Sequence, residues 1–192
     1  WRKEGTEYIP ERPYVAPDYP EKTSWRPFQL AFVLMNLVSF ANPHSEERDV
    51  ADIIWFPTGG GKTEAYLGAA ALSILFRRLT DREHSGVDVL MRYTLRLLTV
   101  QQFERSSGLI AALEHMRRES PSKLGAAPIS IGVWLGDKTT PNKRDKALEI
   151  LAGRGNKEDS AHPFVLSKCP WCGAAFAIRE SNKTWVGYKK AT

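Results

Sequence analysis

One string, Pro57-Thr58-Gly59-Gly60-Gly61-Lys62-Thr63, constrains this chain more than any other feature. Three successive glycines let a backbone curl tightly and aim its N–H groups at one point, with no Cβ in the way. The lysine that follows brings a mobile positive charge, and the threonine brings a hydroxyl. Val50 to Phe56 is a short apolar, β-branched run just before the glycines. Thr63 to Leu79, just after them, is rich in Ala and Leu and carries Arg77 and Arg78 in its last turn. Apolar run, glycine turn and helix form a P-loop, which places phosphates at a helix N-terminus. Thr58, Gly59, Gly60, Gly61, Lys62, Thr63 and Glu64 are therefore the expected nucleotide contacts. Lys62 is expected to reach the β- and γ-phosphates, and the Thr63 hydroxyl to ligate Mg²⁺. A chance glycine-rich turn would not come with this flanking pattern.

The remaining pattern alternates. Val87 to Met91 and Ile129 to Leu135 read as two further strands. Leu95 to Glu119 reads as a helix broken around Ser106-Ser107-Gly108, and Lys143 to Leu151 as a shorter one. Strand, helix, strand, helix, strand predicts an α/β fold with a parallel sheet flanked by helices. Pro27 starts a helix over Phe28–Leu37, apolar enough to be mostly buried. Residues 1–24 hold four of the twelve prolines and read as an extended segment. Residues 25–152 make the nucleotide-binding domain, and residues 153–192 a linker with a small knuckle. The chain opens on Trp1 without an initiator methionine, which suggests a piece of a longer protein.

Composition sets the outer limits. Of 192 residues, 42% are hydrophobic and 26% charged, enough apolar material for a core. The net charge of +5 leans towards a polyanionic partner. The longest apolar run, Phe28 to Ala41, is too short to cross a bilayer, so no membrane partner is expected. No basic-then-apolar leader is present, and the two cysteines are spaced for a metal rather than a disulfide framework. Together these favour the cytoplasm.

Three further stretches carry chemistry. Trp25-Arg26-Pro27-Phe28-Gln29 precedes the glycines, with Gln29 lying 33 residues before Lys62. A carboxamide can pair with both N6 and N7 of adenine; alternatively Gln29 only starts the helix. Met91 to Gln102, containing Arg92, Thr94, Arg96 and Gln101, offers hydroxyl and guanidinium donors suited to a sugar-phosphate backbone. The plainer reading is a solvated basic helix start. Gly136-Asp137-Lys138-Thr139-Thr140, after the third expected strand, is a further nucleic-acid loop candidate. Cys169-Pro170-Trp171-Cys172-Gly173 has the tight turn of a zinc knuckle, with Cys169 and Cys172 as two of the four ligands that structural zinc requires. His162 is the nearby candidate for a third, and a redox Cys-x-x-Cys is the alternative.

The position six residues before Lys62 is Phe56, where a full Walker motif has glycine. The observed PTGGGKTE instead resembles motif I of superfamily 2 helicases and translocases. In that family an Arg-Pro-aromatic-Gln string holds the adenine-reading Gln, as Gln29 would here. Motif Ia of the family follows its second strand, as Arg92–Gln102 does here, with Tyr93 in place of the family's proline and Gln101 one residue late. The strings WFPTGGGKTEAYLG, VLMRYTLRLLTVQQ, GVWLGDKTTPN and CPWCG, over roughly residues 25 to 175, further resemble DrmA, the family of helicase components of the bacterial DISARM anti-phage defence system. The resemblance implies a RecA-like domain, ATP and Mg²⁺ as cofactors, and DNA as partner, with RNA not excluded. It also implies a second motor domain in the remainder of the chain, and a partner protein in the defence system.

The acidic Asp-Glu motif that holds Mg²⁺ and positions water in this family does not occur in the chain. Catalysis by these residues alone is not expected. A P-loop kinase or transport ATPase would need glycine at position 56 or a signature loop, and neither is found. A nucleotide-binding regulatory or scaffold module that never hydrolyses ATP is the alternative from another class.

Overall fold

The computed structural model describes residues 2–4, 7–9, 24–55, 57, 59–93, 96–136, 141, 143–151, 165–171, 173, 178–179 and 185–186. Its main body is helical. Helix α1 (Pro27–Met35) and the short α2 (Leu37–Ala41) are followed by a 3₁₀ turn at Glu46–Asp49. Then come α3 (Lys62–Thr80), α4 (Arg96–Glu119), α5 (Pro121–Leu124) and α6 (Arg144–Leu151). Two short antiparallel pairs complete the elements: β1 (Arg2–Glu4) with β2 (Glu7–Ile9), and β3 (Ile178–Arg179) with β4 (Trp185–Val186).

Pro27 occupies the first turn of α1, where its missing N–H costs nothing. The preceding Arg26 is extended (φ −74°, ψ 145°), and its N–H is capped by the Gln29 side chain. Asn36 interrupts the helix and bonds back to the Phe32 carbonyl at 2.9 Å. The helix expected over Phe28–Leu37 thus forms, but it is not mostly buried: Leu30, Leu34, Met35 and Leu37 are exposed. Its covered side, carrying Phe28, Gln29, Phe32 and Val33, faces α3. There Trp25 lies directly on Gly68, where a Cβ would collide with the indole, and Phe32 meets Tyr66 edge-on with ring centroids 6.0 Å apart.

Helix α3 is the hub, in contact with α1, α4 and α5. The core joins it to α4: Ile74, Leu113 and Ile129 are buried, with Ala71, Leu75, Leu109 and Ile110 packed around them. Helix α4 runs unbroken through Ser106-Ser107-Gly108, where sequence suggested a break. Both serine hydroxyls are satisfied without breaking it. Ser107 donates to the Phe103 carbonyl at 2.7 Å, and Ser106 donates to the Met91 sulfur at 3.7 Å.

The far end of α4 is pinned by charge. The Glu114 carboxylate accepts from Arg117 Nε (2.7 Å) and Nη2 (2.8 Å), Arg118 Nε (2.9 Å) and the Ile129 backbone N–H (2.9 Å). The Arg117 hydrogen bond, helped by those from Ile129 and Arg118, holds the Glu114 carboxyl down to about 2 although burial opposes the shift. Arg117 Nη1 donates onward to the Gly125 carbonyl, so one residue pair fastens α4 to the segment after α5.

The expected parallel-sheet, RecA-like α/β fold is corrected by this architecture. Among the described residues the only sheets are the two antiparallel pairs, and the main body is helical. Val50 to Phe56, Val87 to Met91 and Ile129 to Leu135 form no strand ladder at their described positions. Parallel strands are covered on both faces and hydrogen-bonded at both edges. Here Trp55 is 91% and Trp134 95% exposed, and Ile53, Val87 and Leu90 are exposed with them. Their apolar, β-branched composition records a local preference, whereas pairing needs a neighbour. No described helix is long and apolar enough to cross a membrane.

Candidate phosphate-binding loop

The loop sits at the N-terminus of α3, a 19-residue helix whose cap is Gly61 in the left-handed region (φ 89°). Gly59 is also left-handed (φ 81°), and the Gly60 N–H closes a turn onto the Pro57 carbonyl at 3.1 Å. A side chain at 61 would be doubly excluded, by this φ and because its Cβ would come within 2.6 Å of Gln29 Nε2. Around Gly59 nothing lies within 4 Å of such a Cβ, so open space remains on that side. The cap has no side-chain hydrogen bond. The N–H groups and dipole of a helix start favour an anion, and a glycine turn beside them leaves room for a phosphate. Lys62 and Thr63 occupy the first two helical positions, next to that cradle. They, with the backbone of residues 59–61, would hold a nucleotide and its Mg²⁺. Thr58 lies outside the described residues.

The structure adds supports that sequence reasoning missed. Arg26 Nη1 donates to the Gly60 carbonyl at 2.9 Å, and Gln29 Nε2 donates to the Gly61 carbonyl at 2.8 Å. The start of α1 therefore grips two consecutive loop carbonyls. Gln29 is only 5% exposed, and its Oε1 is also engaged, by the Arg26 N–H at 2.8 Å. The carboxamide thus donates once to the loop and accepts once from the helix start. The proximity of an Arg-x-x-Gln pair to a helix start was visible in sequence; its grip on residues 34 and 32 positions away was not.

Glu64, the third residue of α3, turns one carboxylate oxygen to Arg105 of α4 and the other towards Gly61. Arg105 approaches Tyr93, whose phenol is raised above its ordinary value by burial first and by Tyr66 second, with Arg105 opposing. Of the expected nucleic-acid residues, Arg92, Arg96 and Gln101 are described. Arg92 is exposed just before α4, Arg96 is the first residue of that helix, and Gln101 is exposed on it. Thr94 and residues 137–140 lie outside the described residues.

At the other end of the chain, Cys169 is a free, half-buried thiol, while Cys172 and His162 lie outside the described residues. The Gly173 N–H closes a turn on the Cys169 carbonyl at 2.9 Å, and Gly173 is left-handed (φ 73°). The Trp171 ring meets His115 edge-on at 5.2 Å, and the Pro170 carbonyl comes near Gly108. Gly108 and His115 are seven residues apart, on one face of α4, so the knuckle rests on that helix. Among the described residues no three potential metal ligands cluster.

No family profile matches the chain, and no solved structure matches it. Among curated proteins it is 42% identical over 163 residues to the DISARM protein DrmA of Bacillus paralicheniformis. That match covers 80% of this chain and 14% of the relative's length. The chain is thus similar over most of its own length to a DISARM DrmA protein, of which it spans only a small part.

Proposed function

We propose that this chain is the ATP-binding part of a DrmA-type superfamily 2 motor that hydrolyses ATP to move on DNA in DISARM anti-phage defence. The carrying observation is the Pro57–Thr63 loop on the N-terminus of α3, with Gly59 and Gly61 left-handed and Gly60 and Gly61 gripped from α1. Backbone N–H groups, the helix dipole and Lys62 supply the positive field that a triphosphate needs. Bound Mg²⁺ would offset charge on the phosphates, and the Thr63 hydroxyl is its proposed protein ligand. Gln29 is the proposed adenine contact as well as a support of the loop.

DNA is proposed to lie along Arg92, Thr94, Arg96 and Gln101 at the start of α4. Contacts of this kind go to phosphates and sugars and carry no sequence preference. The water-positioning acid and arginine finger would come from the rest of a protein of DrmA's length, together with a second motor domain. A DISARM partner protein is expected. Cys169 and Cys172 are proposed zinc ligands that stiffen the knuckle on α4, with the remaining ligands from elsewhere.

Lys62→Ala in the full-length protein tests the reading. ATP binding and DNA-stimulated turnover should fall by orders of magnitude while the fold persists, because electrostatic stabilisation dominates phosphoryl transfer. Unchanged ATP affinity and turnover would remove the nucleotide reading.

A further inference from the structure

We propose that Arg105 is a phosphate-binding residue of this nucleotide site, held in reserve by Glu64 and released to the phosphates when nucleotide arrives. The inference rests on the nucleotide reading of the loop and names a ligand that its motif does not contain.

Glu64 follows Lys62 and Thr63 in the first turn of α3, so its carboxylate is at the positive end of the helix. One of its oxygens, Oε1, is ion-paired with Arg105 Nη2. The other, Oε2, lies 3.4 Å from where a Cβ on Gly61 would stand. The carboxylate thus lies against the glycine turn, on the ground that phosphate oxygens would claim, and Arg105 is drawn there with it. Both side chains are about half exposed, at 46% each, so neither is locked in place by packing.

Charge decides the exchange. A nucleoside triphosphate brings several negative charges to a loop served by Lys62 and a helix dipole. Glu64 beside it adds repulsion, while the guanidinium paired with Glu64 is a cation already drawn towards the loop and not committed to one of its carbonyls, as Arg26 is. A guanidinium offers a planar fork of N–H donors that matches a phosphate at least as well as a carboxylate. Phosphate therefore takes over the Arg105 fork and leaves Glu64 to solvent. Arg105 belongs to α4, the helix that opens with Arg96 and carries Gln101. The exchange pulls on the same helix that is proposed to meet DNA, giving the two sites a mechanical link.

The test is the sign of two substitutions, read as binding of mant-ATP and mant-ADP with Mg²⁺ to the full-length protein. Arg105→Ala should weaken mant-ATP about tenfold, more than mant-ADP, and Arg105→Lys should recover part of the loss. Glu64→Gln should tighten mant-ATP several-fold, since it removes a repulsive charge and frees Arg105. A purely structural ion pair would give losses of the same sign from both partners. Losses from both substitutions, or no change from Arg105→Ala, would overturn the proposal. Lys62→Ala is the control for the underlying reading: if it leaves mant-ATP binding intact, the loop is not a nucleotide site at all. If it abolishes binding while Arg105→Ala does nothing, only the present inference fails.

Discussion

Glu114 offers a perturbation whose size can be worked from geometry. Its two oxygens accept four hydrogen bonds, three from guanidinium groups and one from the Ile129 N–H. Oε1 serves Arg117 and Arg118, and Oε2 serves Arg117 and Ile129, so a carboxamide in either orientation sets a donor against donors. The carboxyl's ordinary value is 4.5 and the folded protein holds it at about 2. At roughly 1.4 kcal/mol per tenfold change in proton affinity, that gives at most about 3 kcal/mol at neutral pH. The Glu114 side chain is 15% exposed and Arg118 is 73% exposed, so solvent screening reduces it to about 2 kcal/mol. Because the folded value is the lower one, this stabilisation is fully present above 4.5 and is lost as pH falls towards 2. Glu114→Gln should therefore raise local opening of residues 125–131 by about 30-fold at pH 7. Hydrogen–deuterium exchange on peptides spanning Ile129 reads this directly in the full-length protein. The gap between wild type and variant should narrow steadily as pH falls from 4.5 towards 2. Equal protection at pH 7, or a gap of undiminished size at pH 2.5, would refute this reading.

Two other substitutions bear on the site and the knuckle. Gln29→Ala removes the bond to the Gly61 carbonyl and the cap on Arg26, and should weaken GTP about tenfold by loosening the loop and ATP more, because the proposed adenine contact goes with it. Equal losses would leave Gln29 only its grip on the loop, and unchanged affinity for both would show that the grip does not matter. Purified full-length protein should contain zinc that Cys169→Ser releases. Metal analysis finding no zinc in the wild type would reject the knuckle as a metal site.

What the sequence determined by itself was local. The three glycines, with Lys62 and Thr63 after them, specify a turn that few backbones other than a phosphate cradle need, and the Ala- and Leu-rich run beyond specifies α3. Pro27 marks the start of α1 because its ring fixes φ and removes an N–H that a helix start does not use. Tertiary structure decided everything that depends on a neighbour. Apolar runs at 50–56, 87–91 and 129–135 satisfy the pattern for buried strands, yet a ladder is a property of two chain segments, and no periodicity in one of them reports the other. Gln29 has the chemistry to read a base or to hold a loop, and only the fold, by bringing Gly61 to 2.8 Å, gives it the second task. The Glu64–Arg105 pair spans 41 residues, and Arg117, Glu114 and Ile129 meet across a helix end. The first contact exists only once α3 and α4 are packed together, and the second only once the chain has turned back beyond α5.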